Sequence, residues 1–202
     1  CIRDRSTTTG PAPLLTAATP GTRTYTVRGT DGNGCSSSAS VLVTVNALPV
    51  LTVTPNAPAT LCEAEIRTLT VTGAVTYLWS PGTDLSATNI AAPVLTAATV
   101  GNRTYTVTGT DGNNCTQTAS VNITVNPRPT VTVVPGGPLT FCPNRVVGLQ
   151  ATGALSYNWS PGTDLNSTGS PLVVLTAQTV STRTYTIVGT DGNGCTNSTS
   201  VQ

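Results

Sequence analysis

The phrase Thr-Tyr-Thr-(Val/Ile)-x-Gly-Thr-Asp-Gly-Asn-x-Cys occurs three times, at 24–35, 104–115 and 184–195. Its tyrosines, Tyr25, Tyr105 and Tyr185, stand 80 residues apart each time. A fixed internal period of this size marks a tandem array of one structural unit, and it restricts the fold more than any other property of the chain. A catalytic centre is ordinarily built once, whereas an array repeats a mechanical or adhesive unit. Aligning the chain on itself predicts a partial module at 1–47, a complete one at 48–127 and a third at 128–202 that lacks the end of its last strand. Each full unit is large enough to bury a modest β-sandwich core.

Within a unit the hydrophobic period is two. Leu51 and Val53 alternate with threonines, as do Val131 and Val133 one period later. Leu69 and Val71, with Leu149 and Ala151, predict a second strand; Tyr77 and Trp79, with Tyr157 and Trp159, a third; Val94-Leu95-Thr96 a short fourth. Tyr105 and Val107 then point one way, with Thr104, Thr106 and Thr108 the other, and Ala119, Val121, Ile123 and Val125 close the unit. Alternation bounded by Pro, Gly and Asn is the strand signal, and no stretch carries a helical stripe. The expected class is all-β, with each sheet buried on one face and wet on the other so that two sheets pack as a sandwich. The proline-bearing junctions 45–49 and 125–129 should be semi-rigid, which makes the expected object a rod.

Composition removes several function classes. Charged residues are 8% and the net charge is +1, so nine arginines against eight carboxylates supply no basic stripe for nucleic acid. Histidine is absent, and with it the usual general base and the commonest metal ligand. Roughly a fifth of the chain is threonine, a strand-favouring residue. No window is apolar for long enough to be read as a membrane-spanning helix.

Cys62 and Cys115 are 53 residues apart, as are Cys142 and Cys195. The spacing predicts Cys62–Cys115 and Cys142–Cys195 disulfides within modules, leaving Cys1 and Cys35 to pair by elimination. Disulfides at this density imply an oxidising, extracellular setting. Zinc would need close ligand pairs or histidines, and neither is present. A lipidated Cys1 would leave Cys35 without a partner.

The mid-module Tyr-x-Trp-Ser-Pro-Gly followed by Arg-Thr-Tyr-Thr-Val-x-Gly-Thr-Asp-Gly-Asn-x-Cys resembles the Ig-like and PKD-like repeats of secreted Bacteroidota cell-surface proteins. The likeness covers all but the first dozen residues. It implies disulfide-stapled tandem Ig-like (PKD-like) β-sandwich modules, secretion, use as a stalk or adhesive repeat, and no catalytic residues or cofactors. The cysteines near the module ends differ from the inter-sheet pair of antibody domains, so Trp79 and Trp159 need not stack on a disulfide.

Four further constellations have alternative readings. Asp31-Gly32-Asn33 and its two copies could offer oxygens to calcium, but Asp-Gly and Asn-Gly are strong hairpin formers and calcium wants six to eight oxygens. Trp79 and Trp159 could form a sugar platform, yet their place on a central strand points to the core. Arg23, Arg103 and Arg183 run in phase with Asp4, Asp84 and Asp164 and are expected to form intramodule pairs, of little worth if exposed. Asn102, Asn114, Asn122, Asn158, Asn166 and Asn197 each stand in an Asn-x-Ser/Thr triplet and are candidate glycosylation sites.

Cys1 aligns with Pro81 and Gln202 with Asn122, so by alignment the first copy starts, and the last stops, inside a module. Two expectations follow: a window on a longer repetitive polypeptide, or subunits that complete one another by strand addition. The expected function is that of a structural segment of an extracellular filament or stalk at the cell surface, built by self-association or by continuation of the repeat. The alternative is a cell-surface adhesin or carbohydrate-binding repeat that contacts surface glycans. An enzymatic role for these modules themselves is not expected.

Overall fold

A computed structural model describes residues 12–16 and 19–202. These residues contain strands and turns and no helix. β1 (Gly21–Thr30) and β2 (Ser36–Val45) form a long antiparallel hairpin in which Tyr25 faces Val41 and Val27 faces Ala39.

The next eight strands are β3 (Thr52–Thr54), β4 (Ala59–Cys62), β5 (Ile66–Thr68), β6 (Thr70–Thr72), β7 (Thr76–Ser80), β8 (Val94–Thr96), β9 (Gly101–Thr110) and β10 (Thr116–Asn126). They make a two-layer sandwich. One layer pairs β3 with β6 and β5 with β8. Its ladder is extended by the Leu69 N–H donating to Pro93 O and the Val71 N–H to Ala91 O. The other layer has the order β4-β10-β9-β7. Side chains from both layers meet in one core, with Leu69, Val71 and Leu95 on one side and Trp79, Tyr105, Val107 and Ile123 on the other. This is an Ig-like β-sandwich, and the alternation read from the sequence assigns these core positions correctly.

One strand was not foreseen. The apolar run that opens the module is split by Pro55 and Pro58, which cannot donate to a ladder. The chain therefore leaves the first sheet after β3 and enters the second as β4, parallel to the end of β10, with Leu61 opposite Val125 and Cys62 opposite Asn126. Leu61 is buried by this switch.

A second sandwich follows with β11 (Thr132–Val134), β12 (Val146–Thr152), β13 (Ser156–Ser160), β14 (Leu172–Thr176), β15 (Tyr185–Thr190) and β16 (Thr196–Val201). Its layers are β11-β12-β14 and β13-β15-β16, around Leu149, Trp159, Val173 and Ile187. The Leu139 N–H donates to Gln202 O at 2.6 Å, the first rung of a ladder like that of β4 with β10. Beside it lies a cavity of about 320 Å³, lined by Leu139, Phe141, Leu149, Tyr185 and Val201.

The tryptophans are core residues. Trp79 and Trp159 are each 2% exposed, and their indole N–H groups donate to Ile90 O and Ser170 O. No ring face remains for a sugar. The turn before each tryptophan strand is closed by a tyrosine: Tyr77 Oη accepts from the Ala74 N–H and donates to Ala74 O, and Tyr157 does the same at Ala154. The same turns need glycine. Gly73 (φ 103°) and Gly153 (φ 94°) lie so close to the preceding chain that a Cβ would sit 1.9 Å from Val50 O or Thr130 O. Gly153→Ala is expected to destabilise its sandwich by about 2 kcal/mol or more, combining left-handed strain with a backbone clash. Chemical denaturation measures this, and a loss within experimental error would contradict the close approach.

Candidate functional site: the junction between sandwiches

The chemistry that stands out lies where the two sandwiches meet. Cys62, at the end of β4, is joined by a disulfide to Cys195, at the start of the next module's last strand, with 5.5 Å between Cα atoms. The pairing expected within modules is thereby corrected. Cys62 does not bond Cys115, and Cys195 does not bond Cys142; Cys115 and Cys142 carry free thiols. Cys1 lies outside the described residues, and Cys35 is also a free thiol.

The reason is the register of β4. Its parallel alignment puts Cys62 beside Asn126, whereas Cys115 immediately precedes Thr116 at the other end of β10. Eleven strand residues separate those ends, a span of roughly 35 Å. No disulfide crosses such a distance, since Cα atoms must approach within about 7 Å. The pole that carries Cys62 instead faces the Asp-Gly-Asn-Gly-Cys turn of the next sandwich.

That turn is rigid. The Asp191 N–H donates to Cys195 O and the Gly194 N–H to Asp191 O, while Asp191 Oδ1 accepts from the N–H groups of Asn193 and Cys195. The same set recurs at Asp111 and at Asp31. These aspartates therefore hold the cysteine hairpin. Among the described residues no group of three or more His, Cys, Asp or Glu side chains could hold a metal ion.

Arg128 completes the junction, and sequence reasoning missed it. From the linker its Nε donates to Glu63 O at 2.7 Å and its Nη1 to Thr196 O at 2.9 Å, so one guanidinium spans both sandwiches beside the disulfide. The signal was a lone arginine between Pro127 and Pro129, in a linker read for its prolines alone. On the Cys62 side, Glu65 Oε2 accepts from the Cys62 N–H at 3.0 Å and Glu65 Oε1 accepts from Arg67 at 3.2 Å. The Cys62 N–H, then the Arg67 and Arg128 guanidinium groups, hold the Glu65 carboxyl below its ordinary value.

The arginine–aspartate pairs form as expected but are not exposed. Arg103 Nη1 donates to Asp84 Oδ2 at 2.5 Å, with side chains 27% and 10% exposed, and Arg183 pairs with Asp164. Tyr105 Oη accepts from Arg103 and donates to Thr83 O, which ties the pair to the core. The Tyr105 hydrogen bond, then Asp84, raises the Arg103 pKa against the opposing effect of burial. Arg23 donates to Thr19, and Asp4 lies outside the described residues. All six sequon asparagines are exposed. Asn102 and Asn122 accept from threonines of the β9–β10 ladder, Asn166 Oδ1 accepts from the Val174 N–H, and Asn197 Nδ2 donates to Pro129 O.

No family model matches the chain, and no curated protein does. Solved structures give distant likenesses. The fibronectin(III)-like modules of Clostridium thermocellum CbhA align at 13% identity and a TM-score of 0.33, over 75% of this chain and 92% of that one. Extracellular cadherin domains 1–4 of protocadherin gamma B7 align at 13% and 0.32, over 94% of this chain and 59% of that one. A three-Ig-domain segment of titin aligns at 15% and 0.35, over 77% and 65%. The chain thus spans about two thirds or less of the last two. The Ig-like assignment rests on the strand order given above.

The sign of the Glu65 effect is fixed by its depressed carboxyl. Its contribution to stability is present at neutral pH, above the unfolded value near 4.3, and is lost as pH falls through the lower folded value. Glu65→Gln should therefore cost stability at pH 7 and progressively less as the pH approaches 3, read from denaturation midpoints of both proteins. A cost that does not change with pH would remove Glu65 from the junction's electrostatics.

Proposed function

We propose that this chain is a load-bearing segment of an extracellular filament or stalk, in which Ig-like modules at 1–47, 48–127 and 128–202 are joined end to end and stapled across their boundaries. The observation that carries this reading is the Cys62–Cys195 bond, which links one sandwich to the next and closes a loop of 133 residues. In the chain-entropy model such a closure opposes concerted unfolding of both sandwiches by about 5 kcal/mol.

Its mechanical effect is larger than that figure suggests. Cys62 lies early in its module and Cys195 late in the next. A force applied at the two ends of the pair runs along the chain to Cys62, across the disulfide, and out from Cys195. Both sandwich interiors lie off the force path. Arg128 and the proline-bearing linker restrict bending at the same place.

A persistent structural disulfide also supports an oxidising, extracellular location, as does the resemblance to secreted cell-surface repeats. The modules themselves act as scaffold rather than as catalysts. Self-association or continuation of the repeat extends the rod, and the exposed asparagines are candidates for glycan attachment.

Single-molecule pulling across residues 48–202 tests the load-bearing role. Without reductant, unfolding should release only chain outside the loop. With reductant, the 133 sequestered residues should add roughly 440–480 Å of contour length. An equal gain in both conditions would contradict the bypass.

A further inference from the structure

We propose that Arg128 is the positioning residue of the Cys62–Cys195 bond. By bridging a backbone carbonyl on each side of the joint it docks the two sandwiches while the cysteines are still thiols, and so sets how readily the bond forms and re-forms. The proposal rests on the stapled joint of the load-bearing reading and adds what brings its two sulfurs together.

Each cysteine is held within its own sandwich by bonds that do not involve sulfur. The Cys62 N–H donates to Glu65 Oε2, and the next residue, Glu63, donates its N–H to Asn126 O at 2.8 Å. The Cys195 N–H donates to Asp191 Oδ1, and Cys195 O accepts from the Asp191 N–H. These bonds fix each cysteine relative to its own module and leave the distance between the modules open.

The linker closes that distance. Arg128 Nε donates to the carbonyl of Glu63, the residue after Cys62, and its Nη1 to the carbonyl of Thr196, the residue after Cys195. Asn197 Nδ2 donates to Pro129 O at 3.0 Å, so two successive linker residues are tied to the two residues that follow Cys195. Pro129 is buried, and its ring fixes φ where the chain enters the second sandwich.

A guanidinium suits this place. Its donors lie in one plane at fixed separation, so one side chain sets two carbonyls in one geometry, whereas lysine offers a single nitrogen on a flexible stem. One period earlier Leu48-Pro49 stands where Arg128-Pro129 does, so leucine is compatible with this linker and supplies no donor.

The bond forms by two thiol–disulfide exchanges with a small-molecule disulfide as oxidant. One cysteine thiolate attacks that disulfide, forming a mixed disulfide and releasing one small thiolate. The other cysteine thiolate then attacks the protein sulfur of the mixed disulfide and releases the second. Two protein thiols lose two electrons, the small disulfide is reduced to two thiols, and the two protons pass to them. Arg128 acts on the second step, which is intramolecular and depends on the effective concentration of one thiol at the other.

The test uses the full chain with Cys1→Ser, Cys35→Ser, Cys115→Ser and Cys142→Ser, so that one cysteine pair remains, as a parent and with Arg128→Leu or Arg128→Lys added. Each is equilibrated in glutathione redox buffers, and the oxidised fraction is read by thiol alkylation and mass spectrometry; its midpoint gives the effective concentration of the pair. Fluorescence of Trp79 and Trp159, one in each core, reports folding of both sandwiches under reducing conditions. With both folded, Arg128→Leu should lower the effective concentration roughly fivefold or more, as expected for two lost hydrogen bonds, and Arg128→Lys should recover only part of that loss. An unchanged value for Arg128→Leu, or full recovery by lysine, would overturn the proposal. So would an unfolded reduced Arg128→Leu chain, since Arg128 would then act on the sandwiches themselves. Pulling on the oxidised chain does not depend on how the bond formed, so this proposal can fail while the load-bearing reading stands; absence of the bond in the parent would overturn both.

Discussion

The arrangement of the whole chain depends on a four-residue parallel pairing, β4 against the end of β10. Parallel alignment carries Cys62 along the direction of the closing strand to the far pole of its sandwich. β3 already runs away from the Cys115 turn, antiparallel to β6, and the parallel pairing of β4 fixes Cys62 at the far pole beside Asn126. The pairing also buries Leu61 against Val125, so the covalent link is placed by the same contacts that close the core. From that one placement follow the intermodular disulfide and the role of Arg128.

Much of the sandwich was legible in the sequence because period-two alternation is local. Tyr105, Val107, Val121 and Ile123 face inward for the same reason that the threonines between them face out. Trp79 and Trp159 were readable as core from their place two residues after a tyrosine on an alternating strand, although that strand, expected to be central, is the edge of its sheet. The disulfide was not, and the reason is arithmetic as much as chemistry. Its separation of 133 is the expected 53 plus one period, and in a repeating chain the two pairings leave the same pattern of positions. Only the direction of β4 distinguishes them. The switch between sheets that places β4 there had a local sign in Pro55 and Pro58, which divide what would otherwise be one strand. The Arg–Asp pairs were found by phase, but their burial was not, because it depends on Tyr105 and Tyr185 reaching across to Thr83 and Thr163.

A staple placed across a boundary behaves differently from one inside a module. An internal bond stabilises each sandwich and leaves the linker to transmit load. The bond seen here gives a force applied at the two ends of the pair a covalent route past both interiors, and beside it the linker's arginine spans Glu63 and Thr196. The threonine ladders and the sparse charge fit the same design, since strand pairing and covalent closure supply stability that a surface of ion pairs would add to only slightly.

The connectivity of the disulfide decides the matter most directly. With free thiols blocked before digestion, mass spectrometry of the unreduced chain should find the peptide containing Cys62 joined to the one containing Cys195. A Cys62–Cys115 or Cys142–Cys195 pair in its place would contradict the intermodular staple and return the chain to a string of separately closed modules.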